Sequence, residues 1–247
     1  MIFKFSIIIP TYKENKNLTR LIPLIYKTLD THIGNFEIIV VDDNSQDGTI
    51  QTLNKFKKKF KNIRGIVRKN KLRDLSLSCI YGFELSKYEN ILVMDADLQH
   101  NPKYLNLLVK KFSNSKIDFL VACRNFKDKS EVKINFIRFL LSKTIIILFN
   151  FLLGFRTHDP MSGFFIFKKN IFTQNKNKLF AKGYKILADL IYSSEIQLKI
   201  KDQFIIFDQR HMSSSKLNFK ILFLILIFLL KSFVKKIKIN LTNFFYK

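Results

Sequence analysis

The feature that most constrains the fold is a regular alternation of short apolar runs and helical segments in the first half of the chain. The apolar runs predict buried strands at Phe5–Pro10, Phe36–Val41, Ile63–Arg68, Ile91–Met94 and Phe119–Cys123. Segments with helical spacing lie between them, at Leu18–Leu29, after Thr49 through Lys59, and at Leu75–Ser86. No hairpin signal such as Asn-Gly joins two of the runs. The alternation predicts an α/β fold with a mostly parallel, doubly wound sheet.

Length and composition fit one large domain with a substantial core, because the chain has 247 residues, of which 47% are hydrophobic. The net charge of +24 admits nucleic acid, anionic lipid or a phosphorylated substrate as a partner. Lys, Asn, Ile and Phe are frequent throughout, so part of this charge is expected to be ordinary solvated surface. Cys79 and Cys123 are predicted to be free thiols in a reducing compartment. Met1–Lys4 leads straight into a strand, so no secretory signal is expected.

Two acids, Asp95 and Asp97, follow the strand predicted at Ile91–Met94, and Gln99 comes two residues later. In a strand-like geometry residues i and i+2 point the same way, so the carboxylates are expected together at the strand end, where α/β sheets bind ligands. Like charges that close need a neutralising cation or proton. Hard oxygen ligands suit Mg²⁺ or Mn²⁺ that bridges to substrate phosphates. The alternative is an Asx-rich loop capping a helix opened by Pro102; the buried strand before the acids favours the metal.

Polar side chains also follow the first two predicted strands. Tyr12 and Glu14 come after the first strand, and Asp42 and Asp43 come after the second. An Asp after a strand is common as a helix N-cap, but three such strand ends at one sheet edge suit a nucleoside. The ring would stack on the base, and the carboxylates would accept hydrogen bonds from its N–H groups and from the ribose. The chain contains neither G-x-G-x-x-G nor a P-loop, which disfavours a Rossmann dehydrogenase or an NTPase.

These motifs, taken in order, resemble the family 2 glycosyltransferases, inverting enzymes of the GT-A fold, and within them the dolichol- or polyprenol-phosphate mannose synthase group. The resemblance covers about residues 5–217 and rests on stretches 10–14 (PTYKE), 40–49 (VVDDNSQDGT), 94–100 (MDADLQH), 159–165 (DPMSGFF), 183–187 (GYKIL) and 210–217 (RHMSSSKL). The first two stretches occur in many sugar transferases, whereas the last four together are much more specific.

The resemblance implies a nucleotide-sugar donor, a polyprenyl or dolichyl monophosphate acceptor and a Mg²⁺ or Mn²⁺ ion. The positions that match donor-binding residues are Pro10, Tyr12, Glu14, Val41, Asp43, Asp95, Ala96, Asp97, Arg124, Lys185, Arg210 and Lys216. The metal positions are Asp95, Asp97 and Gln99, and the acceptor-phosphate positions are Arg124, Arg138 and Ser142. The positions matching catalytic residues are Asp97, Arg124 and Arg210.

Two departures from the family pattern bear on the donor. Lys71–Asp74 stands where the family commonly has a glycine-rich turn, and a loop without glycine cannot reach positive φ cheaply. Ser213 and Ser214 stand where the last motif usually carries Gly and Glu. Donor preference and closure of that loop are therefore the properties in which this chain is expected to differ.

Two apolar stretches are expected to contact a membrane. Residues 131–156 mix basic and apolar residues and predict two amphipathic interfacial helices, with an ordinary core helix pair as the alternative. Ile221–Leu230 has no polar member but falls short of the ~20 residues that span a bilayer. It predicts an interfacial or marginally inserted helix with a basic tail on anionic headgroups, and a single span is the alternative. The expected division is a catalytic domain at 1–216, on the cytoplasmic side, and a membrane-associated segment at 217–247.

Three functions remain open at this point. The first is transfer of a hexose, taken first as mannose from GDP-mannose, to a polyprenyl phosphate, with no nucleic-acid partner. The second keeps the fold but uses UDP-glucose or another nucleotide sugar. The third is a basic membrane- or RNA-binding protein without catalysis, which leaves the Asp-x-Asp stretch unexplained.

Overall fold

A computed structural model describes residues 2–69, 72–124, 136–183, 185–208, 223–234 and 237, with the backbone alone over 136–143. The strands are β1 (Phe5–Thr11), β2 (Phe36–Asp42), β3 (Ile63–Val67), β4 (Asn90–Val93), β5 (Phe119–Arg124), β6 (Phe165–Lys168) and β7 (Ile200–Ile205). The helices are α1 (Asn15–Thr28), α2 (Thr49–Lys59), α3 (Leu75–Leu85), α4 (Leu105–Ser113), α5 (Phe136–Leu153), α6 (Lys169–Asn175) and α7 (Ile186–Ser193). Short 3-10 turns lie at Asp30–His32, Pro102–Tyr104 and Lys176–Lys178. Residues 223–234 form a further helix, called here the C-terminal helix.

The strands form one sheet in the order β3-β2-β1-β4-β6-β5-β7. β1 to β4 run parallel, as do β5 and β7, and β6 runs antiparallel between β4 and β5. The predicted α/β fold with a mostly parallel sheet is therefore confirmed. The sequence patterns used above did not predict β6 or β7.

Helices cover both faces of the sheet, which explains why its central strands are predominantly apolar. All seven residues of β1 and of β2 are buried. Alternate residues enter two cores: Ile7 and Ile9 pack on one face with α1 and α4, and Ile8 packs on the other with α3 and α7. α3 approaches β1 closely at Gly82, where an added Cβ would lie 3.3 Å from Val41 Cγ2 and closer still to Ile8.

The register of the parallel strands brings their carboxyl ends to one edge of the sheet. Thr11 of β1 lies opposite Asp42 of β2, and Ile8 lies opposite Val93 of β4. The chain order reverses between β1 and β4, because β2 and β3 lie on one side of β1 and β4 on the other. Ligands of doubly wound sheets bind at such a switch point.

The stretch expected to form two interfacial helices contains one helix, α5, in its described part. Residues of α5, α7 and the C-terminal helix form a separate apolar cluster of Phe149, Leu153, Ala188, Ile225, Phe228 and Leu229. In the described ranges, no helix has the length and apolar character needed to cross a membrane. Both cysteines are buried free thiols, as predicted.

Candidate active site

Backbone hydrogen bonds join the segments that leave β1, β2 and β4. The N–H of Asp43 donates to Thr11 O at 2.9 Å, and the N–H of Met94 donates to Ile8 O at 3.2 Å. The N–H of Arg68, just beyond β3, donates to Asp42 O at 2.9 Å. The strand-end residues singled out in the sequence therefore leave a common edge, as expected.

The segment after β1 presents a partly buried ring and a buried acid. Tyr12 is half-buried, and its ring centroid lies 4.4 Å from Cζ of Arg73 and 5.6 Å from Nζ of Lys13. Glu14 is buried and its Oε2 accepts a hydrogen bond from Nδ2 of Asn17 at 2.6 Å. A flat ring beside two cations can receive a nucleobase that carries a negatively charged diphosphate.

Pro10 and Val41, which the resemblance places in the donor site, are buried within β1 and β2. Val41 packs in the core with Ile8 and Cys79. A donor contact at Val41 would therefore involve its backbone.

Asp43 forms a buried ion pair with Arg68, an arginine that the sequence patterns did not single out. The Oδ1–Nη1 distance is 2.7 Å, and the two side chains are 4% and 3% exposed. Asp43 Oδ2 also accepts the backbone N–H of Asp74 at 2.6 Å. Burial raises the pKa of Asp43, and the Asp74 N–H and the guanidinium oppose that rise. Both carboxylate oxygens thus bind protein groups, and a nucleoside would use their remaining lone pairs.

The loop that departs from the family's glycine-rich turn is held by side chains. Arg68 Nη1 donates to Asp74 O at 3.0 Å and to Ser78 Oγ at 2.9 Å. Asp74 caps α3 by accepting the N–H of Leu77 at 3.1 Å, and its other oxygen accepts the N–H of Gly183 at 2.6 Å. These bonds fix the described part of the loop beside Asp43.

The Asp95–Asp97 stretch is a turn and not the end of a strand. β4 ends at Val93, so strand alternation does not set the directions of the two carboxylates, and their proximity stays a prediction. Asp97 is 7% exposed, and its Oδ1 accepts the N–H of Gln99 at 3.1 Å. Leu98 between them has φ of 63°. A side chain–backbone bond across a left-handed residue therefore shapes the turn.

The carboxylate of Asp95 lies against Gly163, from the loop that joins α5 to β6. A Cβ at Gly163 would lie 2.7 Å from Cγ of Asp95 and closer still to Oδ2. The Asp95 side chain is 31% exposed. Only glycine leaves room for this carboxylate at an accessible surface.

The described residues contain no group of three or more His, Cys, Asp or Glu side chains that could hold a metal ion. Mg²⁺ is usually bound by one or two carboxylates together with substrate phosphates, and not by an all-protein cage. An accessible Asp95 carboxylate facing a glycine, next to Asp97 in one turn, fits that shared arrangement. Gln99 enters the turn through its backbone, whose carbonyl accepts the N–H of Asp208 at 2.9 Å.

Arg124 lies at the end of β5, with Cζ 4.8 Å from the ring centroid of Phe207. Its Nε is buried and has no hydrogen-bond partner among the described residues. Asp159 lies nearby; burial raises the pKa of its carboxyl, and the Arg124 guanidinium and backbone N–H groups oppose the rise. A cation with an unpaired buried N–H can donate a hydrogen bond to a phosphate oxygen.

Lys185 is buried, and its Nζ donates to Leu224 O of the C-terminal helix at 2.8 Å. The ammonium also lies 4.2 Å and 4.8 Å from the ring centroids of Phe180 and Phe228. These contacts assign it to the attachment of the C-terminal helix and do not support the donor-binding role predicted for it. Arg138 and Ser142 lie one turn apart on the backbone of α5; Arg210 and Lys216 lie outside the described residues.

Comparison with known proteins gives both a family and a fold. Residues 6–175 match the family Glycosyl transferase family 2. A dolichol-phosphate mannosyltransferase of Mycosarcoma maydis is 33% identical over 224 residues, 88% of this chain and 75% of that protein. A second, of Pyrococcus furiosus, is 32% identical over 222 residues, 89% of this chain and 61% of that protein. A third, of Saccharomyces cerevisiae, is 31% identical over 194 residues, 77% of this chain and 71% of that protein.

Solved structures support the GT-A fold. A glucosyl-3-phosphoglycerate synthase from Mycobacterium tuberculosis, in complex with Mn²⁺, uridine diphosphate and phosphoglyceric acid, superposes with a TM-score of 0.65 at 14% identity, covering 86% of this chain and 72% of that one. The complex with phosphoglyceric acid gives a TM-score of 0.64 at 15% identity, covering 85% and 73%.

Proposed function

The chain belongs to glycosyl transferase family 2, and from that premise we propose that it transfers a hexose from a nucleotide sugar to a polyprenyl monophosphate, with inversion at the anomeric carbon. The observation that carries the proposal is the convergence of the segments holding Tyr12, Asp43 and Asp95 at one sheet edge. We take GDP-mannose first as the donor, because the three relatives are named mannosyltransferases. UDP-glucose or another nucleotide sugar is the alternative.

In this proposal the ends of β1 and β2 hold the nucleoside. Tyr12 stacks on the base, Glu14 and Asp43 accept hydrogen bonds, and Pro10 and Val41 form the floor. The turn at Asp95–Asp97 faces the diphosphate and the sugar.

Asp95 and Asp97, with Gln99, would hold a Mg²⁺ or Mn²⁺ ion, which when bound supplies positive charge to the diphosphate. Gln99 contributes its backbone to the turn, since its N–H donates to Asp97 and its carbonyl accepts the N–H of Asp208. The ion is therefore proposed mainly on the two carboxylates.

The reaction needs positioning and charge more than a base. An oxygen of the acceptor phosphate attacks C1 of the hexose on the face opposite the diphosphate. The C1–O bond breaks, and its electron pair leaves on the nucleoside diphosphate. A phosphate monoester is already ionised at neutral pH, so cations such as Arg124 and Arg138 are needed to hold it. Arg124, Arg210 and Lys216 stabilise the negative charge that grows on the leaving group.

The acceptor's lipid chain would lie in the membrane, next to a membrane-facing surface that α5 and the C-terminal helix form. Phe151 of α5 is 82% exposed, Phe223 63% and Leu230 61%, although these helices share a buried cluster. Large apolar side chains on a protein of net charge +24 suit anionic lipid. Association with the cytoplasmic side of a membrane is part of this proposal.

The proposal is tested by incubating the protein with polyprenyl phosphate and radiolabelled GDP-mannose or UDP-glucose, with and without Mn²⁺. Label extracted into organic solvent from one donor, only with metal, is the expected result. Absence of lipid-linked label from every donor tried would overturn the proposal. Thermal shift with GDP, UDP and RNA separates an enzyme from an RNA-binding protein, because only the enzyme is stabilised by a nucleoside diphosphate in a metal-dependent way.

Asp97→Asn is the sharpest variant for this assay. The amide oxygen can still accept the Gln99 N–H, so the turn is kept while the charge is lost. Turnover is expected to fall about 100-fold or more at an unchanged melting temperature. Asp30→Asn removes an equal charge from an exposed 3-10 turn and is the matched control.

A further inference from the structure

His100 is a buried side chain with no direct part in the proposed chemistry, and it is 3% exposed. Its Nδ1 lies 3.2 Å from the backbone N of Asp95 and 3.9 Å from Asp95 Oδ2. Only the first distance is that of a hydrogen bond. Nδ1 therefore accepts the Asp95 N–H.

Two aromatic rings fix the plane of the imidazole. The Phe164 ring stacks on it at 5.1 Å with an interplanar angle of 23°, and the Phe207 ring meets it edge-on at 5.0 Å and 85°. Phe164 follows Gly163, the residue that borders the Asp95 carboxylate. Phe207 is the ring over which the Arg124 guanidinium lies. His100 thus contacts Phe164, next to the glycine that borders the Asp95 carboxylate, and Phe207, which lies under the Arg124 guanidinium.

The segment after β7 is tied to the same turn. The N–H of Asp208 donates to Gln99 O at 2.9 Å, and Nδ2 of Asn101 donates to Asp208 Oδ2 at 2.6 Å. Gln99 and Asn101, the residues on either side of His100, thus bind Asp208 and so hold the neighbouring Phe207 against the imidazole. The ring therefore cannot tilt without disturbing several contacts, and Nδ1 stays directed at Asp95.

We propose that His100 is a positioning residue, whose Nδ1 fixes the backbone at Asp95 and so keeps that carboxylate beside Gly163. The inference rests on the proposed function, in which Asp95 faces the donor diphosphate. A histidine that served only as an aromatic filler would act through its ring contacts with Phe164 and Phe207. The acceptor and the ring can be removed separately, which distinguishes the two roles.

His100→Asn keeps an acceptor near the position of Nδ1 and loses the ring, whereas His100→Phe keeps a ring and loses the acceptor. Positioning predicts that the Asp95 amide stays protected from hydrogen exchange in the Asn variant and loses protection in the Phe variant. It predicts a fall in kcat of about tenfold or more for the Phe variant, because a buried N–H loses its partner, with a smaller change in donor KM. The Asn variant is expected to keep more of its kcat and to melt at a lower temperature than the Phe variant, because it loses the ring packing.

Phe207→Leu is the control, since it removes the edge-on ring contact, leaves the acceptor and keeps Phe164 stacked on the imidazole; the Asp95 amide is expected to stay protected. If His100→Phe does not fold, His100→Gln replaces it, because its carbonyl lies one carbon further out and misses the Asp95 N–H.

Wild-type protection of the Asp95 amide in the Phe or Gln variant would overturn the inference, and so would an Asn variant as impaired as these. The exchange measurement decides the point even if the wild-type protein transfers no sugar, an outcome that would overturn the proposed function alone.

Discussion

Replacing Gly163 by alanine tests whether the Asp95 carboxylate must lie where the structure has it. The new Cβ would lie 2.7 Å from Cγ of Asp95 and 2.8 Å from Oδ1, both well inside van der Waals contact. Gly163 is not among the glycines with positive φ, so the alanine backbone itself is unstrained. The whole effect of Gly163→Ala is therefore expected to act on Asp95.

Gly163→Ala is expected to have a small effect on the free energy of unfolding and a large effect on kcat. Overpacking a core costs about 1–3 kcal/mol, and the low end applies because the Asp95 side chain is partly exposed and can swing away. That swing moves the carboxylate by about an ångström, and a displacement of this size can cost about 100-fold in rate. Gly163→Ala is thus expected to lower the melting temperature by only a few degrees and kcat by about 100-fold.

The assay is lipid-linked sugar formation over a range of Mn²⁺ concentrations, with a thermal melt of each variant. Gly34→Ala is the matched control: Gly34 has φ of +88° and nothing within 4 Å of an added Cβ, so alanine there costs about 1 kcal/mol through backbone strain alone. It is expected to lower stability and to spare kcat. Wild-type kcat in Gly163→Ala, or equal loss of kcat in both variants, would refute the reasoning.

Three further predictions concern groups around the site. Arg73→Ala should weaken nucleoside diphosphate binding several-fold without lowering the melting temperature, because it removes the exposed guanidinium over Tyr12; unchanged affinity by calorimetry would contradict this. Arg68→Met should cost about 3–5 kcal/mol in urea unfolding, because it leaves Asp43 buried and unpaired. Burial lowers the pKa of Lys185 from 10.5 to about 8, so the unfolded chain binds more protons between these values and stability should rise with pH across that window. Lys185→Met should flatten that rise in melting temperature, and an unaltered slope would disprove the assignment.

Part of the fold was predictable because strands that are buried on both faces of a sheet have apolar residues at most positions. β1 and β2 are predominantly apolar, and their bounds match the prediction to within one residue. The sequence patterns did not predict β7, because it lies at the edge of the sheet and Lys201, Asp202 and Gln203 interrupt its apolar pattern. β6 is only four residues long, and its place between β4 and β5 depends on pairing that no local pattern encodes.

The sequence predicted at which edge of the sheet the site lies, but not the side-chain contacts that shape it. Asp95 and Asp97 leave the expected edge, but the turn that holds them depends on Gly163 and His100, and the first of these comes from a distant loop. Lys185 lies in a motif that matches the family, yet its ammonium binds the C-terminal helix. A motif match gives the location of a residue in the chain and leaves the direction of its side chain undetermined.

The loop after β3 shows how a chain can replace glycine at a functional turn. Where the family commonly has the backbone freedom of glycine, this chain holds the backbone of Asp74 by side chains: Arg68 donates to its carbonyl and Asp43 accepts its N–H. Asp43 thereby supports the loop as well as the proposed nucleoside site, so any Asp43 variant changes folding and binding together. Arg73, exposed beside Tyr12 on the same loop, is free of that coupling. Donor selectivity is therefore best examined at Arg73, where a change in affinity can be separated from a change in stability.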